Sequence, residues 1–280
     1  MKMFMKAVAA TAVLAMSAAG AVAQTVPTQP APGPVPTGLI DGNGGLVVVI
    51  WDSVRNVSLT QYLGLTLSQI IPGPTTNMEQ AGFQLDFGVL GNYSSLFGAS
   101  SASNVQYLVV ATDPTGGTFA GRNIATTSIL GGIYTPTSNQ RVRDAAAAVR
   151  NFLSFENGCN AQTPCIATSN LEGNWAGGTN MGTNLGSQLS QSSAGTAGNA
   201  LGFYLLTTVT NLAVGPASIA VVDVYQSASG AFAQWLLGTD GRLVYSVPGT
   251  VVPLPAALWL LLSGLVGVGT IGRRRLAASA

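Results

Sequence analysis

The sequence predicts a mainly β protein: an antiparallel, sandwich-like domain with one α-helix, set between an N-terminal signal peptide and one C-terminal transmembrane helix. Three observations carry this. Through residues 44–250, short apolar runs are separated by turn residues, and connections of a few residues cannot make the crossover that a parallel sheet needs. One segment, Gln140–Phe155, instead repeats its apolar residues at helical spacing. At each end lies an uncharged apolar run with basic residues beside it.

Residues 1–23 hold Lys2 and Lys6, an apolar stretch from Ala7 to Met16, and Ala21-Val22-Ala23 before Gln24. That is the form of a secretory signal peptide, cleaved between Ala23 and Gln24 by signal peptidase after the export machinery has engaged it. Residues 24–43 follow as a Pro-rich lead, with prolines at 27, 30, 32, 34 and 36. Such spacing favours an extended, semi-rigid spacer.

The exported passenger, residues 44–250, opens with Leu46–Trp51, an unbroken apolar run that suits a strand buried on both faces. Val57, Leu59 and Gln61 alternate, and the strand reading continues through Leu63–Ile71 to Pro72-Gly73-Pro74. Phe83, Leu85 and Phe87 alternate with Gln84 and Asp86; Val105–Ala111 runs to a turn beginning at Asp113, and Asn123–Leu130 follows. In the helix, Val142, Ala145, Ala146, Val149, Phe152 and Leu153 share a stripe, Asn139 stands at its start and Gly158 beyond its end. The stripe predicts a helix lying on a sheet face or edge.

Cys159 and Cys165, the chain's two cysteines, close the short loop after that helix. In an exported chain such neighbours predict a disulfide. The alternative, a metal site, has two thiolates and no histidine to complete four ligands. Asn174–Asn199 is rich in Gly, Ser, Thr and Asn and reads as a long loop or weak hairpin, with Trp175 its one aromatic. Strands resume at Leu201–Leu212 and Ser218–Tyr225, and Phe232–Leu237 with Arg242–Val247 forms a hairpin about Asp240-Gly241.

The last segment, residues 251–280, runs from Val252-Pro253-Leu254-Pro255-Ala256 into an uncharged stretch ending at Gly272, then Arg273-Arg274-Arg275. Nineteen residues from Leu254 to Gly272 give a helix about 28 Å long, close to the hydrocarbon thickness of a bilayer. The transmembrane helix is placed at about residues 256–272. An arginine cluster stays on the cytoplasmic side, so the passenger lies outside the inner membrane.

This order of short Pro motif, span and Arg cluster closely resembles the PEP-CTERM sorting signals of Gram-negative bacteria, in the variant named for Val-Pro-Leu-Pro-Ala. Leu254 stands where the usual Pro-Glu-Pro core has Glu. The resemblance covers about a tenth of the chain. It implies recognition by an exosortase, a membrane enzyme with a cysteine nucleophile that removes the tail and passes the protein to the surface or extracellular matrix. A permanent tail anchor explains the span and arginines without any sorting enzyme.

Between Gln24 and Val252 six arginines oppose ten acids, a net of −4 without lysine. A nucleic-acid partner would lack its main electrostatic attraction. The chain has no histidine, which removes Ser-His-Asp and Cys-His catalysis and every His-ligated metal. Asp41-x-Asn43-Gly44 and Asp113 are fragments of calcium-loop chemistry without a complete ligand set. Asp52, Glu79, Asp86 and Asp223 stay open as partners in a glycosidase-like carboxylate pair.

The sequence therefore predicts an exported, non-catalytic surface or matrix protein needing no cofactor, with extracellular polysaccharide as a candidate partner. The rival readings are a secreted glycan-active hydrolase and a membrane-anchored periplasmic protein.

Overall fold

Gly45–Asp52 forms β1, the middle of the structure, because its apolar residues have a core on each side: Leu46, Val48 and Ile50 enter one cluster, Val47, Val49 and Trp51 the other. A computed structural model of the chain describes residues 44–71, 77–113, 123–132, 136–155, 164–172, 175–177, 189, 194–208 and 219–249. The signal peptide, the Pro-rich lead, Cys159, Gly158, most of the 174–199 segment and the whole of 251–280 lie outside the described residues.

The described fold is mainly antiparallel β. After β1 come β2 (Val57–Thr66), α1 (Leu67–Ile70), β3 (Gln84–Val89), α2 (Tyr93–Phe97), β4 (Val105–Asp113), β5 (Asn123–Ile129) and α3 (Asn139–Phe155). Then follow β6 (Cys165–Ala167), β7 (Gly195–Thr196), β8 (Leu201–Thr207), β9 (Val221–Val224), β10 (Gln234–Leu237) and β11 (Arg242–Ser246). All pairings are antiparallel, in the order β3-β11-β10-β8-β5-β4-β1-β2-β6, with β7 beside β4 and β9 beside β8.

Here the structure differs from the sandwich-like expectation, since the eleven strands among the described residues all belong to one hydrogen-bonded sheet. The sheet curls instead of splitting. β10 joins β8 through a single residue pair, Trp235 with Leu201, which lets the β3-β11-β10 ribbon turn. The Tyr107 hydroxyl on β4 donates to the Trp235 carbonyl on β10 at 2.9 Å and lies 2.7 Å from the Asn199 carbonyl. In a flat sheet those strands would stand about 14 Å apart, beyond the reach of one side chain.

Helix α3 covers the opposite face. Val142, Ala145, Val149, Phe152 and Leu153 pack on Val47, Val49, Leu108, Val110, Tyr204 and Leu206, as its stripe predicts. The helix includes Asn139, so the capping position moves one residue back: the Ser138 hydroxyl accepts the Arg141 N–H at 3.4 Å.

Three helices stand among the described residues where one was expected. The run Leu63–Ile71 stays strand only as far as Thr66, where β2 ends. Thr66 opens a capping box with Gln69, whose side-chain oxygen accepts the Thr66 N–H at 2.8 Å, and the chain turns into α1, burying Leu67 and Ile70. Helix α2 begins after Asn92 in the left-handed region (φ 60°) and buries Tyr93 and Phe97, one turn apart.

The β10–β11 hairpin turns at Asp240-Gly241 as expected: Gly241 has φ +87°, and a Cβ there would lie 2.3 Å from the Tyr93 ring. Trp175, expected in a loop, is 8% exposed and packs in the α3-side core near Trp51. A Cβ on Gly177 would meet both indoles, at 2.5 and 3.0 Å. Trp175 therefore offers no open ring face for a sugar.

Candidate functional site

Of the four carboxylates open to a paired role, the structure separates two and brings two together. Asp52 is fully buried at the end of β1, where its Oδ1 accepts the Val54 N–H at 2.8 Å and the Arg55 N–H at 3.3 Å. It shapes the hairpin to β2. Asp86 on β3 takes Arg242 of β11 in a two-point contact: Nε donates to Oδ1 at 3.1 Å and Nη2 to Oδ2. The Gly88 N–H adds a third bond at 2.9 Å.

Glu79 and Asp223, distant in sequence, line one open cleft of about 500 Å³ with Gln226, Ser227 and Gly230. One tyrosine pins the end of α1 to the sheet and another pins the segment bearing Glu79. The Tyr225 hydroxyl donates to the Ile70 carbonyl at 2.7 Å, and the Tyr245 hydroxyl donates to the Met78 carbonyl. Asp223 sits on β9, opposite Leu205 of β8. Glu79 also accepts the Gln226 N–H at 3.4 Å.

Burial pushes the Glu79 carboxyl up first, the charge of Asp223 adds to this, and the Gln226 N–H opposes it. Burial likewise raises Asp223 against the opposing Val224 N–H. For Asp86 the sign reverses, because the Arg242 hydrogen bond holds its carboxyl below the ordinary value. A carboxyl raised on folding binds protons more readily in the folded state, so stability is gained as pH falls through its value. One lowered on folding contributes stability above its ordinary range, and that contribution is lost as pH falls through the lowered value. Melting temperature is therefore expected to rise slightly on acidification toward about pH 5 and to fall below about pH 4. Thermal melts across this range check it. Glu79→Gln with Asp223→Asn should remove the rise, and an unchanged profile in that double variant would count against the assignment.

The site is open, acidic and polar. It can hold a cation or a hydroxyl-rich ligand, and its paired carboxyls have the residue types of acid–base glycan chemistry. Among the described residues no group of three or more His, Cys, Asp or Glu side chains stands ready for a metal ion. No protein-family model, curated protein or solved structure matches the chain.

Sequence reasoning named Glu79 and Asp223 without showing that they meet. It missed Gln226 and Ser227, which carry no periodic signal. The predicted sorting residues Val252, Pro253, Leu254, Pro255, Ala256, Arg273, Arg274 and Arg275, the cleavage pair Ala23 and Gln24, and Cys159 all lie outside the described residues. Cys165 opens β6, in register with Thr60 of β2.

Proposed function

We propose that this chain is an exported, non-catalytic cell-surface or extracellular-matrix protein, led out by its signal peptide and handed on by a VPLPA-type sorting signal. The order of signals carries the reading: a cleavable leader, a β passenger, then Val252–Ala256, an apolar span and Arg273–Arg275. Signal peptidase and an exosortase-type enzyme are the processing partners. The membrane holds the tail until it is cut, and extracellular polysaccharide is the matrix component for the passenger to meet.

The region Gln24–Val252, with a net of −4 and no lysine, is soluble through its hydroxyls and amides, which suits a hydrated matrix and not nucleic acid. Intact mass with fractionation of the native protein tests the reading. It requires the loss of residues 1–23 and of the tail, with the product outside the inner membrane. A full-length species at the inner membrane favours the permanent anchor.

The Cys159–Cys165 disulfide belongs to the same proposal, since it needs an oxidising compartment. Non-reducing peptide mapping of the exported protein should recover the two cysteine peptides joined. Replacing both by serine should cost about 2 kcal/mol, the closed loop being short.

A second reading, a glycan-active hydrolase, draws on one observation: Glu79 and Asp223 share a cleft. Turnover of matrix oligosaccharides by the purified protein, abolished in both Glu79→Gln and Asp223→Asn, would establish it against the non-catalytic proposal.

A further inference from the structure

We infer that the cleft between Glu79 and Asp223 is a subsite for a saccharide unit carrying a free ammonium group, the chemistry of a deacetylated hexosamine in a matrix polysaccharide. This rests on the reading that the passenger meets extracellular polysaccharide, and it names the unit taken.

The cleft is a shaped space with two separate walls. One is the segment bearing Glu79, held by the Tyr245 hydroxyl on the Met78 carbonyl. The other is β9 and the turn after it, which brings Asp223, Gln226, Ser227 and Gly230. That turn is tied to itself: the Gly230 N–H donates to the Ser227 carbonyl at 2.8 Å, and the Ala231 N–H to the Ser227 hydroxyl oxygen at 3.1 Å. Gly230 has φ +81°, and a Cβ there would meet nothing within 4 Å, so the space beside the turn is open. A volume of about 500 Å³ lies in the range of small-ligand sites and exceeds the need of a single metal ion.

Charge selects the ligand, because the chain supplies these carboxylates with no cation of its own. Among the described residues Arg55 is held on the Leu96 carbonyl and the Ser100 hydroxyl, and Arg242 is held on Asp86. Arg141, Arg143 and Arg150 stand on α3. Val222 packs on the α3 side of the sheet, so Asp223, next along the strand, turns to the opposite face, that of Met78 and Tyr225. Burial raises the proton affinity of both carboxyls, and at Glu79 the charge of Asp223 adds to it. An ammonium group between them relieves that strain on the ionised forms, whereas a neutral sugar adds desolvation to it.

The remaining lining suits the hydroxyls of the same sugar. The Gln226 side-chain amide offers both a donor and an acceptor. A lysine of a protein partner brings the charge without the hydroxyls that would use it. No aromatic ring is among the described lining residues, so binding comes from charge and hydrogen bonds and weakens as salt is added.

The test is calorimetric titration of full-length protein in non-ionic detergent with glucosamine tetramer, its fully N-acetylated form, acetyl-Gly-Lys-Gly-amide and calcium chloride. Saturable binding of the glucosamine tetramer is expected, about tenfold tighter at low salt than the N-acetylated tetramer, which lacks the ammonium charge. Glu79→Gln and Asp223→Asn should each weaken it about tenfold, with thermal melts confirming the fold. Asp144→Asn, the same loss of charge at an exposed position on α3, should leave it unchanged. Absence of saturable binding overturns the inference, as does equal affinity for the N-acetylated tetramer or an equal loss in Asp144→Asn. Equally tight binding of the lysine peptide overturns it in favour of a protein partner, and displacement of the tetramer by calcium in favour of a metal ion. Cleavage of the tetramer transfers the cleft to the hydrolase reading. Fractionation reports export separately, so an exported protein that ignores the tetramer sinks this inference and leaves the sorting proposal standing.

Discussion

Trp235→Ala is expected to destabilise the passenger by about 3–5 kcal/mol, the largest single loss in the described core. The indole is fully buried and sits between three rings: it stacks on Phe87 at 5.7 Å, meets Phe203 edge-on at 5.7 Å and Tyr245 at 5.0 Å. Truncation removes the apolar contact and leaves a cavity that these rings, themselves anchored on β3, β8 and β11, cannot close. The residue also works through its backbone. It holds the one ladder pair between β10 and β8, and its carbonyl accepts the Tyr107 hydroxyl across the curl.

Urea denaturation followed by far-UV circular dichroism checks this: the midpoint should fall with the slope unchanged, because the surface exposed on unfolding stays the same. Trp235→Phe should lose less, since it keeps most of the ring and removes an indole N–H that has no hydrogen-bond partner. Equal losses in the two variants would show that ring packing is not what the site contributes.

The strands of this protein are legible because each buried one meets water on at most one face. Phe83, Leu85 and Phe87 alternate in sequence, and β3 lies at the sheet edge, where only one face meets the core. Leu46–Trp51 shows no alternation, and β1 has a core on each side. The stripe of α3 is likewise a direct image of the sheet face it covers.

The order of the strands is another matter. β3 pairs with β11 and β5 with β8 across long stretches of chain, and neither partner's pattern names the other. The curl was equally hidden, since it depends on where the β10–β8 ladder stops. Helix α1 was lost inside an apolar run because Leu67 and Ile70 satisfy a strand reading and a single helical turn alike; only Gln69, three residues after Thr66, marks the cap. The acidic cleft has the same origin as the curl: folding of the 77–83 segment over the sheet brings Glu79 to Asp223, and no local signal encodes that meeting.

Replacing Pro253 and Pro255 together by alanine is expected to abolish removal of the tail while leaving export intact. The reason is a division of labour within residues 251–280. On the sorting proposal, insertion and orientation depend on the apolar span and on Arg273, Arg274 and Arg275, which the substitution does not touch. The leader is equally unaffected, so residues 1–23 should still be lost. The two prolines lie before the apolar centre of the span, inside the Val252–Ala256 motif that the sorting proposal gives to a processing enzyme. The variant should therefore accumulate at the inner membrane with its tail attached, while the parent appears outside it, shortened. Fractionation with intact mass, in a host that has an exosortase, separates the outcomes. If the tail is a permanent anchor, parent and variant behave alike and both stay full length apart from the leader, and the sorting proposal fails. Replacing the three arginines by glutamine probes the other half: the span loses its cytoplasmic charge, so mislocalised or misoriented protein is expected even though Val252–Ala256 is intact.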